Sequence, residues 1–217
     1  MYGIKSNNHL SEILQTIYHH QFSFSSCTTG NDTLADICNY SKDKIAVSTL
    51  SPSCYYSTEN MLPEKAGAVE ASSLPPVTYT TKCKAGDVLI SNIRPYFKKI
   101  VYCQAECGCS NDVLCFTPNT IDLSAFLYCT LYSDQFFDFM FAGSKGTKMP
   151  RGDKQQIMTY SLYKPSNDEL RAFNQIAFPI LSKIDCNRYE NVALSSFRDR
   201  LLPKLMSGEL DVSNIDL

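Results

Sequence analysis

Ser195-Ser196-Phe197-Arg198-Asp199-Arg200-Leu201-Leu202-Pro203-Lys204-Leu205-Met206-Ser207-Gly208-Glu209-Leu210 closes what reads as one long amphipathic helix. The helix is expected to begin near Asn167, a good N-cap. Asp168 and Glu169 then fall in its first turn, where carboxylates meet the positive end of the helix dipole. Phe173, Ala177, Ile180, Ile184, Leu194, Leu201 and Leu205 lie on one stripe whose spacings alternate between four and three. Such a stripe suits a helix whose seam packs on a partner helix. Asn187 and Asn191 sit mid-stripe, where polar residues fix register at a cost in stability. A surface helix folded onto its own domain is the plainer reading. Length argues against it, because roughly 40 residues at the helical rise span about 60 Å, more than the width of a small domain. Pro179 should kink or divide the stripe, and Pro203 and Gly208 mark its end.

Upstream of that helix the pattern changes. Residues 157–163 read as a last strand, and Lys164-Pro165-Ser166 leads into the helix. Residues 122–141 have helical period, with Leu123, Phe126, Leu127, Phe136, Phe137 and Met140 as apolar faces. A break near Ser133-Asp134, a good N-cap pair, would make two short helices. Short strands are expected over residues 44–50, 76–82, 87–91, 99–103 and 113–117, each β-branched or aromatic and bounded by turn residues. Residues 55–75 form a long irregular excursion. Residues 33–38 open this body, and 23–31 are a polar connector. An N-terminal helix over 8–21 presents Leu10, Ile13, Leu14, Ile17 and Tyr18 on one face. The fold class is α+β: one mixed, strand-rich domain flanked by a short N-terminal helix and a long C-terminal helix of coiled-coil type.

Composition narrows the function. With 217 residues, 44% of them apolar, the chain can bury a proper core. A net charge of −2 argues against a globally basic nucleic-acid binder, so any contact with DNA must rest on local patches. No signal peptide and no run of about 18 apolar residues is present, so no membrane segment is expected. Ten cysteines would fit a secreted disulfide scaffold, but the length and apolar content point instead to a reducing cytoplasm. Cys38, Cys54, Cys83, Cys115 and Cys129 lie in apolar surroundings and read as small core residues. Cys103, Cys107 and Cys109 have a spacing unlike the usual zinc patterns, so no metal ligands are assigned. His9, His19 and His20 share one helical segment and make neither a metal pair nor a nucleophile–base set. Glu59 and Asp87 are single carboxylates without an acid–base partner. No catalytic residue and no cofactor is assigned.

Two segments concentrate basic and hydrogen-bonding groups. Ser144, Lys145, Thr147, Lys148, Arg151 and Lys154 lie in a glycine-containing loop that lets backbone approach a phosphate. It lacks the spacing of an ATP-binding loop. Ser91, Asn92, Arg94, Tyr96, Lys98 and Lys99 form the second segment, where Arg94 suits guanine, Asn92 suits adenine and the lysines suit phosphates. Pro95 should keep the turn at Arg94 extended. Each segment could equally be a solvated turn with solubilising charges.

The string from Phe197 to Leu210 resembles the C-terminal end of specificity subunits of type I restriction-modification systems. The family pattern Arg-Asp-x-Leu-Leu-Pro-Lys-Leu-x-Ser-Gly-Glu-Leu is met by Arg198, Asp199, Leu201, Leu202, Pro203, Lys204, Leu205, Ser207, Gly208, Glu209 and Leu210. Asn7 to Phe22 is similar to the end of the family's other conserved helix. Gly86 to Tyr96 and Gly146 to Arg151 are similar to parts of its target recognition domains. The chain departs from the family in length: a complete subunit alternates two recognition domains with two conserved helices, and one recognition domain is present here. The resemblance therefore implies a half subunit, natural or a fragment, divided as 1–25 (short conserved-region helix), 26–165 (recognition domain) and 166–217 (long helix for spacing and dimerisation).

By that resemblance the two basic segments contact double-stranded DNA, reading one half of a bipartite target. The stripe from Phe173 to Leu205 meets a second copy or another half subunit, and the helices dock modification (methyltransferase) and restriction subunits. The chain lacks an Asn/Asp-Pro-Pro-aromatic string and a glycine-rich cofactor loop, so methyl transfer would fall to a partner. The rival readings are a stand-alone DNA-modifying enzyme, nuclease or methyltransferase, and an assembly protein that does not read DNA.

Overall fold

A computed structural model describes residues 2–22 and 32–209. The N-terminal helix α1, Tyr2–Phe22, is longer than the sequence pattern indicates. Leu14 and Phe22 are buried, whereas Ile13 is 37% exposed, so the apolar face is narrower than expected. The connector over 23–31 lies outside the described residues.

The body follows as β1 (Asp32–Thr33), α2 (Leu34–Ile37), β2 (Cys38–Tyr40), β3 (Lys44–Ala46), β4 (Tyr55–Tyr56), β5 (Tyr79–Cys83), β6 (Val88–Ser91), β7 (Ile100–Tyr102), β8 (Cys107–Cys109) and β9 (Val113–Pro118). Helices α3 (Ser124–Tyr132), α4 (Asp134–Ala142) and α5 (Lys154–Met158), then strand β10 (Ser161–Leu162), lead to α6 (Asn167–Met206). One antiparallel sheet runs β2-β9-β6-β7, and a second runs β3-β5-β8-β4 with only β4 and β8 parallel. β1 and β10 pair separately.

Alternation along the strands produces two cores. In the first sheet Val88, Ile90, Ile100, Leu114 and Phe116 face a large core that includes α1, α3, α4 and the first half of α6. Leu89, Val101, Val113 and Cys115 face the opposite way, into a smaller core shared with Tyr56, Cys83, Cys107 and Cys109 of the second sheet. Strands covered on both faces explain the unbroken apolar runs at 88–90 and 113–116. Cys103, Cys107 and Cys109 thus act as small core residues, with the Cys103 and Cys107 sulfurs 3.6 Å apart. Among the described residues, no group of three or more His, Cys, Asp or Glu side chains is arranged to hold a metal ion.

Several boundaries differ from the sequence pattern for local reasons. Residues 157–163 are not one strand. The Asp153 carboxylate accepts from the N–H of Gln155 and Gln156 and starts α5, which buries Ile157, leaving two residues for β10. The strand over 44–50 stops at Ala46, where a turn closes through Leu50 N–H to the Val47 carbonyl. Helices α3 and α4 do divide at Ser133, whose Oγ accepts from the Phe136 N–H.

The N-cap of α6 is Ser166 rather than Asn167. Ser166 and Glu169 satisfy each other's backbone N–H groups in a capping box. Pro179 and Pro203 lie inside the helix without dividing it. The Gln175 carbonyl, which loses its partner at Pro179, belongs to an exposed residue, so water can serve it. α1 and α6 run antiparallel: Asn7 Nδ2 donates to the Ile184 carbonyl, and Gln21 Nε2 to that of Glu169. No described helix is long and apolar enough to cross a membrane.

Candidate nucleic-acid interface

The two basic segments, separate in sequence, meet in space. Arg94 N–H donates to the Pro150 carbonyl at 2.8 Å, Gly152 N–H donates to that of Asn92, and Ile93 bridges Arg151. Lys145 and Arg151 exchange backbone hydrogen bonds of 2.9 Å, closing a loop whose turn at Gly146 has φ +101°. A glycine is needed there because the conformation is one that L side chains rarely adopt. At Gly152 the constraint is crowding rather than backbone conformation. A Cβ there would lie 2.8 Å from Met140 Cε and 2.9 Å from both Asn92 Oδ1 and Ile157 Cδ1.

Arg94 and Lys98 bracket a short 3-10 turn, Pro95–Phe97, and both have left-handed backbone, φ 51° and 50°. Arg94 is therefore not extended. The following proline keeps it out of the right-handed helical region, and the hydrogen bond to Pro150 holds the alternative. Glu64 and Lys65, also left-handed, donate from their N–H groups to the carbonyls of Phe97 and Lys98. Two strained turns thus brace each other, an arrangement that persists only where neighbouring structure imposes it.

The side chains of the two segments divide into committed and open groups. Ser91 is buried and its Oγ donates to the Ile93 carbonyl. Asn92 is 8% exposed, and its Oδ1 accepts no hydrogen bond. Lys98 shares the Asp134 carboxylate with Lys65, each at 2.8 Å, and Lys99 donates to the Thr58 carbonyl. Tyr96 is half-exposed and packs on Phe97 and edge-on to Phe141. In the second segment Ser144 is half-buried, while Thr147 and Lys148 are exposed.

Lys145 is 81% exposed and pairs with Asp153 at 2.6 Å. Arg151 pairs with Asp112 at 3.0 Å, with both side chains about half in solvent. Lys154 is exposed beside the Tyr40 ring. The exposed cations are therefore Lys148 and Lys154, without a carboxylate partner among the described residues, and Lys145 and Arg151, each sharing one, with the half-buried Arg94 beside them, its Nε lacking a hydrogen-bond partner.

The sequence pattern does not single out Asp112 or Lys65, and it marks Asp134 only as part of an N-cap pair. Each acquires its role by pairing across the fold, so spacing holds no signal for it. Lys65 and Lys98 hold the Asp134 carboxyl down at about 2 through their hydrogen bonds. Burial lowers the Lys99 ammonium.

The stripe on α6 also divides. Phe173 and Ala177 are fully buried in the chain's own core, Ile180 and Ile184 are half-buried, and Leu194, Leu201 and Leu205 are 58%, 45% and 40% exposed. Leu170 and Leu181 complete the buried face. From Tyr189 onward no side chain of α6 is buried.

No protein-family model matches the chain, and no curated protein matches it. Solved structures do. The S subunit of a type I restriction-modification system from M. genitalium superposes with a TM-score of 0.56 at 18% identity, over 94% of this chain and 57% of that one. A structure from work on complex assembly and conformational transition of the type I R-M system gives a TM-score of 0.50 at 16% identity, over 86% of this chain and 50% of that one. The chain has the fold of these proteins and spans 57% and 50% of their lengths.

Proposed function

We propose that this chain is a non-catalytic DNA-recognition subunit of a type I restriction-modification complex, reading one half of a bipartite target. The meeting of the two basic segments on one face of an S-subunit fold carries the reading. The planar, hydrogen-bonding side chains of Arg94 and Arg151 stand among mobile point charges (Lys145, Lys148, Lys154), which suits base readout combined with phosphate anchoring, whereas Asn92 is too buried to take the part its residue type suggested. α1 and the buried half of α6 supply a helical pair on which modification subunits would dock.

The exposed half of α6 would meet a second copy or another half subunit, regenerating the alternation of domains and helices in a whole subunit. A twofold pair would place two recognition faces at a fixed separation and read a split palindrome. Methylome sequencing of cells carrying the complete system tests the reading. A methylated adenine in a split motif, lost when this chain is deleted, is expected. Methylation unchanged by the deletion would overturn the reading, as would nuclease or methyltransferase activity of the purified chain alone.

A further inference from the structure

The long helix changes character at one point. Up to Leu181 its inner face is held by apolar burial, with Leu170, Phe173, Ala177 and Leu181 all 3% exposed or less. Beyond Leu181 the contacts with the rest of the chain become polar. Asn187 Nδ2 donates to Asn7 Oδ1 of α1 at 2.9 Å. One residue later Arg188 Nη1 donates to the Tyr56 hydroxyl of β4 at 2.6 Å, and its Nη2 lies 3.2 Å from Asp185 Oδ1. The guanidinium also sits 5.0 Å from the Tyr189 ring centroid and 5.7 Å from that of Tyr56. Tyr56 is buried and belongs to the smaller core, while the Arg188 side chain is only 20% exposed. Residues 189–206 then project with no buried side chain.

The two polar bonds do different work. Asn7 belongs to α1, a helix that runs alongside α6 and is itself packed into the large core. Tyr56 belongs to the second sheet, so its bond to Arg188 ties the helix to an element off its own axis. Beside this tie is a cavity of about 70 Å³ lined by residues including Asn7, Lys65, Tyr102, Leu181, Asp185 and Arg188. Packing at the root of the projecting arm is thus incomplete, and directional bonds add to its hold. Arginine suits the place because one planar, always-charged group can bond two acceptors and stack on a ring at the same time.

We infer that Arg188 is a positioning residue: held by Tyr56 and Asp185, it fixes the direction in which residues 189–206 leave the body. The lever is long. Roughly 18 residues of helix extend about 27 Å, so a tilt of about 10° at the root moves the tip by about 5 Å. That exceeds the rise of one base pair, about 3.4 Å. On the DNA-recognition reading above, Arg188 would thus hold the half-site spacing, although its effect on the arm does not depend on that reading.

The test is a distance measurement on the whole chain without DNA or other subunits. Spin-label amino acids are encoded at positions 70, on the body, and 200, on the arm. Labelled chain is diluted into excess unlabelled chain so that only distances within one molecule are read by double electron–electron resonance. The unsubstituted chain should give a narrow distribution. Arg188→Ala and Tyr56→Phe should each broaden it at least twofold with helix content unchanged by circular dichroism. The double variant should be no broader than Arg188→Ala, because the bond that Tyr56→Phe removes is already lost with the arginine. Should Arg188→Ala not fold, Tyr56→Phe decides alone, since it keeps the buried ring. A Tyr56→Phe distribution as narrow as that of the unsubstituted chain would overturn the inference whatever the outcome of DNA binding.

Discussion

At the scale of single residues, carboxylates decide which cations remain available. Asp134 occupies Lys65 and Lys98, Asp112 holds Arg151, and Asp153 both pairs with Lys145 and caps α5. The folded Asp134 carboxyl titrates at about 2, below its ordinary 3.8, chiefly through the hydrogen bonds from Lys65 and Lys98. A carboxyl depressed on folding contributes stability that is complete above the unfolded value and disappears as pH falls through the folded one. Asp134→Asn should therefore lower the melting temperature at pH 7, with the gap to the unsubstituted chain closing between about pH 4 and pH 2. The effect should be small, because the Asp134 side chain is 64% exposed and water screens the pair. Paired thermal melts across that range check it, and a gap that stays constant down to pH 2 would show that the lysines do not hold this carboxylate. Gly152 gives a second expectation. Its missing Cβ leaves room for Met140, Asn92 and Ile157 in one crowded spot. Gly152→Ala should lower stability by about 1–3 kcal/mol in urea denaturation, the usual penalty for overpacking. A change within about 0.5 kcal/mol, the scatter of ordinary surface substitutions, would mean that the loop yields freely.

Elements were legible in the sequence to the extent that their signals are local. The break at Ser133 and the long C-terminal helix follow from capping chemistry and a 3.6-residue period, and both are present in the fold. The strands β4 and β8 carry no such signal. Two residues and a Cys-Gly-Cys run are too short for alternation to show, and they form because the second sheet supplies partners. Residues 157–163 misled for the opposite reason: β-like composition yielded to the Asp153 cap and the burial of Ile157. The two basic segments were each visible as composition, but their meeting depends on pairing around Ile93 and Arg151. The ion pairs to Asp112 and Asp134 were invisible because they join Arg151 to Asp112 across 39 positions and Lys98 and Lys65 to Asp134 across 36 and 69. In α6 the stripe mixed two jobs, since its first half faces the chain's own core and its second half faces water. That division sets an expectation for the exposed half. Leu194 is 58% exposed, so Leu194→Asp should leave the fold intact. It should reduce self-association, seen by light scattering at tens of micromolar, more than any change in the basic segments. A unsubstituted chain that is monomeric at that concentration would remove the basis for a helix-mediated pair.

For the whole molecule, a net charge of −2 makes long-range attraction to DNA weak, so the binding proposed above would have to come from a local arrangement of charge. The exposed lysines Lys145, Lys148 and Lys154 and the planar Arg94 and Arg151 lie on the two joined segments, and they should divide the work. Lysine is a mobile point charge suited to phosphates, whereas arginine can meet a base edge with two parallel bonds. Lys148 makes no ion pair among the described residues, so Lys148→Ala changes no internal contact of that kind. It should weaken binding to cognate and scrambled DNA alike and reduce the slope of log affinity against log salt by about one unit. Lys145→Ala should do less at low salt, because Asp153 already competes for that ammonium. Arg151→Ala and Arg94→Ala should instead spare binding to scrambled DNA and relax discrimination at one base pair each, by about 1–3 kcal/mol. The measurement is salt-dependent binding of the assembled complex to its cognate site and to a scrambled duplex. If replacing Lys145, Lys148, Lys154, Arg94 and Arg151 together leaves both affinities unchanged, this face does not meet DNA. Loss of affinity for both duplexes without loss of discrimination would place the arginines on phosphates too, and sequence would then have to be read by other side chains of the body.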